Sequence, residues 1–140
     1  MPKIFLTLFV MAGLSLAAQP KAGEWRGVLL LNKEKQLELP FTFEVVRLKG
    51  ATQLIIHNAE ERIIVSETSF AKDSFYFKMP VFDTEFRTKL DGDTMLTGLW
   101  INHTKKENNA IPFSASFGNR SRFKAISTKP GILFYGKWEV

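Results

Sequence analysis

The sequence predicts an all-β domain: an antiparallel up-and-down meander of about eight or nine strands, closed as a barrel or a strongly curled sheet. Three observations point there. Apolar and polar residues alternate with a period of two, short turn signals interrupt the alternation at regular intervals, and no segment beyond the N-terminal run carries a helical period.

The first element is a leader. Met1-Pro2-Lys3 gives a charged start, Ile4 to Leu14 is apolar and uncharged, and Ser15-Leu16-Ala17 supplies the small residues that a signal peptidase reads. A membrane span needs ~20 apolar residues; this run is shorter and leads straight into Gln19-Pro20-Lys21. Residues 1–18 are therefore expected to be a signal peptide, cleaved after Ala17 or Ala18, and residues 19–140 an exported domain that does not span a membrane.

Then come the strands. From Leu37 through Phe41 and Phe43 to Val45, every odd position is apolar and every even one is polar or Pro. Phe75, Phe77, Met79 and Val81 form a second such series, Phe86, Thr88 and Leu90 a third, and Ile111, Phe113, Ala115 and Phe117 a fourth. Successive side chains of a strand point to opposite faces, so each segment has one oily face and one wet face. That is antiparallel sheet with one face on a core. Turn signals lie at Asn32–Lys35, Lys49–Ala51, Asn58–Glu61, Ala71–Asp73, Asp91–Asp93 and Lys105–Asn109. Their spacing suits hairpins joined in sequence.

The alternation aims most of the thirteen Phe inward. An aromatic interior is either a packed core or the wall of an apolar pocket, and a barrel near eight strands is wide enough for both. Phe41, Phe43, Phe75, Phe77, Met79, Phe113 and Phe117 are expected inside. Pro40, Pro80 and Pro112 fall in the polar phase; having no N–H to donate, they belong at edges, strand starts or bulges.

Composition removes several functions. The chain has no cysteine, which excludes disulfides, thiolate metal sites and thiol catalysis within it. The net charge is +5 and concentrates beyond Ile101, where seven Lys and Arg face Glu107 and Glu139. These cations are scattered over several elements, so they read as solvated surface rather than a nucleic-acid face.

No catalytic constellation emerges. His57 and His103 are the only histidines. Neither has the companion spacing of a metal site, and both read as structural or surface groups. Glu60-Glu61 and Asp91/Asp93 sit in turns, where carboxylates serve the backbone. No Gly-x-Ser-x-Gly elbow or phosphate-cradling Gly-rich loop occurs. The residues assign no catalytic, cofactor-binding or metal-binding position and no cofactor, and they do not identify any ligand-binding residue.

A series of phrases carries a family resemblance: Gly23-Glu24-Trp25-Arg26-Gly27, Glu38-Leu39-Pro40-Phe41-Thr42-Phe43, Asn58-Ala59-Glu60-Glu61-Arg62-Ile63, Asp73-Ser74-Phe75, Met79-Pro80-Val81-Phe82-Asp83, Gly98-Leu99-Trp100, Ile111-Pro112-Phe113-Ser114-Ala115 and Arg122-Phe123. In this order they resemble the N-terminal β-rich region of exported TlpA-like redoxins of the Bacteroidota. The resemblance runs from about Gly23 to Val140. It implies a periplasmic location and a non-catalytic accessory role beside a thioredoxin-like domain with a Cys-x-x-Cys centre. That domain is missing from this chain, so no catalytic residue carries over. Gly23-x-Trp25 near the first strand is also similar to lipocalin-like domains, which implies the alternative of a free-standing lipocalin-like barrel that binds an apolar small molecule. No nucleic-acid partner is expected under either reading.

The C-terminal end carries its own expectation. Gly23-x-Trp25, Gly98-x-Trp100 and Gly136-x-Trp138 repeat one motif in which a gap lies beside a large ring on the same strand face. The third opens a strand just before Val140, so the domain is expected to be truncated there, with Trp138 more exposed than Trp25 or Trp100. The leader gives the first testable prediction: N-terminal sequencing of exported material should begin at Ala18 or Gln19, and recovery of intact Met1 would refute the signal assignment.

Overall fold

The computed structural model describes residues 19–123. They form nine strands in one antiparallel sheet: β1 (Gly23–Asn32), β2 (Leu37–Leu48), β3 (Ala51–Asn58), β4 (Glu61–Val65), β5 (Thr68–Ala71), β6 (Ser74–Lys78), β7 (Thr84–Asp91), β8 (Met95–Asn102) and β9 (Ala110–Phe117). The expected turns separate them. At the β2–β3 turn Lys49 and Gly50 both have positive φ, 51° and 82°, the backbone pair that matches the twist of a tight hairpin.

The sheet order is β4-β3-β2-β1-β9-β8-β7-β6-β5. β1 and β9, the first and last strands among the described residues, pair in its middle, with Trp25 opposite Phe117 and Leu29 opposite Phe113. Each strand reverses its neighbour, and an even number of reversals separates β4 from β5, so these two run in the same direction. Only Ser66 and Glu67 lie between them, whereas parallel neighbours need a crossover of about a dozen residues. β4 and β5 are thus two halves of one bent strand. The first half pairs with β3, Val65 opposite Leu54. The second pairs with β6, Thr68 opposite Phe77. The bend touches both sides: the Thr68 hydroxyl donates to the Thr52 carbonyl at 2.8 Å, and the Lys78 N–H donates to the Glu67 carbonyl at 3.0 Å. This nearly closes the sheet into a barrel.

The inward phase is as the alternation predicts. Phe43, Phe75, Phe77 and Phe113 are buried, and Phe41, Met79 and Phe117 pack against that core. One end of the barrel is stoppered. Trp25, Val45, Leu54, Val65, Phe75 and Leu96 are almost wholly enclosed, and Pro20 is buried with them. The segment before β1 crosses this end. The Pro20 carbonyl accepts from Arg47 Nη2 at 3.1 Å, the Lys21 N–H donates to the Asp93 carbonyl at 2.8 Å, and the Trp25 indole donates to the Lys21 carbonyl at 2.8 Å.

The prolines mark where ladders stop. Pro40 lies beyond the last β2–β3 pair, and Pro112 beyond the last β9–β1 pair, so each missing N–H falls where a neighbouring ladder has ended. The strand expected through Val81 is shorter than the alternation suggested. β6 ends at Lys78, Met79 turns to donate its N–H to the Thr84 carbonyl at 2.9 Å, and Val81 is 71% exposed. Pro80 interrupts the strand, as a residue without an N–H does. Trp138 lies outside the described residues.

Two outcomes test this packing. Phe77→Ala should cost about 3–5 kcal/mol, while Tyr76→Ala, on the wet face of the same strand, should cost about 1 kcal/mol or less. Equal losses of Tm would reverse the assigned phase. Gly98 is the second. A Cβ there would strike the Arg87 carbonyl and lie 2.7 Å from Thr88 Cα on the paired strand. Since backbone cannot yield without opening the β7–β8 ladder, Gly98→Ala should destabilise by about 1–3 kcal/mol, seen as a lower denaturant midpoint.

Candidate functional site

The bent strand and the stoppered end determine where a cavity can form. The C-terminal ends of β1, β3, β6 and β8 meet the N-terminal ends of β2, β4, β7 and β9 at the opposite, open end. A pocket of ≈ 560 Å³ occupies that mouth, within the ~300–1,000 Å³ of small-molecule sites. Its floor is the top of the core, Leu29, Phe41, Ile56 and Phe86; Met79 and Trp100 stand as walls, and Leu39, Val81 and Phe82 form a largely exposed rim.

Among the described residues, polar groups enter from one side. Asp83, Thr84, Asn102 and Thr104 line the pocket beside the β6–β7 and β8–β9 loops. The loops are tied together there, because the His103 N–H donates to the Asp83 carbonyl at 2.9 Å. The Asn102 side-chain oxygen accepts from both the N–H and the hydroxyl of Thr104, at 2.9 and 2.6 Å. Asp83 also faces the Lys78 ammonium at 3.7 Å across the outside of the rim. Among the described residues no buried side-chain polar atom lacks a partner. The interior therefore presents oil to a ligand, and the mouth presents hydrogen-bonding groups.

The residues weighed in the sequence lie apart from this pocket. Glu60 lies in the β3–β4 turn and Glu61 opens β4, where Asn58 donates to it at 3.0 Å, and Asp91 and Asp93 flank the β7–β8 turn at the stoppered end. His103 sits in the β8–β9 loop with Nε2 3.3 Å from Glu85, a carboxylate already held by Arg87 at 2.6 Å. His57 is different. On the outer wall its Nδ1 lies 4.0 Å from Glu24, and Glu44 completes a group whose possible ligand atoms all fall within 4.8 Å of one another.

No family model, curated protein or solved structure matches this chain. The site is thus read from its own geometry. Sequence reasoning had the inward phase of Phe41 and Phe86, but not that Val81 and Phe82 leave the wall to form a rim. Pro80 was the available signal. The Glu24–Glu44–His57 group left no trace in sequence spacing, since its members come from three strands.

Proposed function

We propose that this chain is a binding protein whose barrel takes an apolar small molecule through its open end. The observation that carries this is the ≈ 560 Å³ mouth pocket, floored by Leu29, Phe41, Ile56 and Phe86 and bordered by exposed apolar side chains. An exposed apolar rim is costly to a lone soluble domain and is common where a ligand or partner covers it. The ligand this lining suits has an apolar body that sits on the aromatic floor and an uncharged hydrogen-bonding end near Asn102 and Thr104. Among the described residues Asp83 is the one charged group on the lining, and it already faces Lys78 at 3.7 Å, so the lining itself offers a carboxylate a like charge.

Export and the redox context belong to the same proposal at one remove. They rest on the signal-like start and on the ordered phrases from Gly23 to Arg122-Phe123. Under that reading the barrel is the non-catalytic accessory region of a periplasmic TlpA-like thiol–disulfide oxidoreductase. A chain without cysteine leaves thiol exchange to a separate domain. A Cys-x-x-Cys domain encoded after Val140 supports this context, and its absence leaves the free-standing barrel.

The pocket is tested with a neutral apolar fluorophore such as Nile red, titrated into residues 19–140. Saturable one-to-one binding is expected. Leu39→Trp adds bulk at the rim and should weaken it at least tenfold, about 1.4 kcal/mol. Leu48→Trp, an exposed position at the stoppered end, should leave it unchanged. Absence of saturation, or equal binding by both variants, overturns the pocket assignment.

A further inference from the structure

We propose that Glu24, Glu44 and His57 form a binding site for a late first-row divalent cation, Zn²⁺ in particular, on the outer wall of the barrel. The three side chains come from three adjacent strands. Glu24 of β1 stands directly opposite Glu44 of β2, and His57 of β3 pairs with Thr42, two residues from Glu44 on the same face. Their inward-facing neighbours Trp25, Phe43, Val45 and Ile56 are buried, which fixes all three on the outside. They are nevertheless half-buried, with His57 and Glu24 side chains only 23% and 32% exposed.

Electrostatics makes this arrangement unfavourable without a cation. Like charges directly opposite on paired strands destabilise a sheet. Among the described residues the Glu24 carboxylate has only His57 as an ion-pair partner, and the Glu44 carboxylate has neither an ion pair nor a side-chain hydrogen bond. A divalent ion between the carboxylates would turn repulsion into attraction.

Coordination chemistry narrows the ion. A tetrahedral Zn²⁺ site with bonds of ~2.0–2.1 Å needs ligand atoms roughly 3.3 Å apart. The present ligand atoms lie within 4.8 Å of one another, and rotation of the two glutamate stems can close the difference. Two carboxylates and one imidazole leave a fourth position for water, the pattern of an open zinc site. Ca²⁺ and Mg²⁺ instead prefer oxygen ligands in greater number, and an imidazole selects against them. The backbone is held by the ladders on both sides of β2, and the Gly118 N–H donates to the Glu24 carbonyl at 2.8 Å.

The experiment is a calorimetric Zn²⁺ titration of tag-free, chelator-stripped protein spanning residues 19–140. One saturable site in the micromolar range or tighter is expected, with a Zn²⁺-dependent rise in Tm. Glu44→Gln keeps the side-chain shape and should weaken binding at least tenfold; His57→Ala should do the same. His103→Ala, which alters the other histidine–glutamate pair, should change nothing. The proposal is overturned if no saturable binding occurs, if binding survives both Glu44→Gln and His57→Ala, or if it is lost in His103→Ala. It is also overturned if Ca²⁺ fills the same site equally well, since that would mark an acidic patch and no coordination site. Should His57→Ala fail to fold, Glu44→Gln and its Zn²⁺-dependent Tm decide the matter alone.

Discussion

A continuous file of aromatic rings holds the barrel together. It runs from Phe70 to Phe75 (4.6 Å between centroids), Phe77 (5.3 Å), Phe86 (4.4 Å), Phe113 (4.9 Å), Phe41 (6.0 Å), Phe43 (6.0 Å), Trp25 (6.0 Å) and Phe117 (5.7 Å). The file crosses from β5 to β1 without leaving the interior, so it joins strands that are far apart around the sheet. Each contact adds roughly 0.5–1.5 kcal/mol beyond simple burial. Gly27 lets the file pass. Phe41 and Phe113 reach over it from the strands on either side, and a Cβ there would sit 2.8 Å from the Phe41 ring and 3.0 Å from that of Phe113. A barrel of this width must be filled by side chains to be solid, and here rings do the filling.

The rings also decide where the pocket is. Toward the stoppered end they meet Val45, Leu54, Val65 and Leu96, which leave no room. Toward the mouth Phe41 and Phe86 face the pocket, where among the described residues Met79 and Trp100 stand at the sides rather than filling the space above them. The wall opens at the same level. β6 stops before Pro80, and β4 stays with β3 until the bend at Ser66-Glu67 carries the strand to β6. A strand shared between two neighbours cannot pair fully with either, so the closure that completes the barrel also leaves it parted beside the mouth.

The parts of this structure that depend on one strand at a time were legible in the sequence. Leu37 to Val45 and Ile111 to Phe117 show their inward phase as plain alternation, and Lys49-Gly50 declares its turn. What depends on two strands was not. Nothing near Gly23 announces that β1 pairs with β9, and Val65-Ser66-Glu67-Thr68 has no Gly or Pro to mark a bend that is set by competition between β3 and β6. Outward-facing residues were hardest of all. Glu44 read as an ordinary wet-face position, His57 as a structural or surface group and Glu24 only as part of a phrase, because only the registers Glu24–Glu44 and Thr42–His57 bring them together.

The two faces of β1–β3 therefore couple differently to stability. Phe41 and Phe86 are at once the roof of the core and the floor of the pocket. A ligand seated there extends the aromatic file upward, and its binding adds to folding stability in proportion to RT ln(1 + [L]/Kd). The outer group works across the wall. A cation shared by Glu24, Glu44 and His57 would tie three consecutive strands at a point where two carboxylates otherwise repel, without touching the interior. Inside and outside contributions to β1 and β2 share no side chain, because the period of two sends neighbouring residues to opposite faces. Their effects on unfolding are expected to add, and this separation follows from the same alternation that builds the barrel.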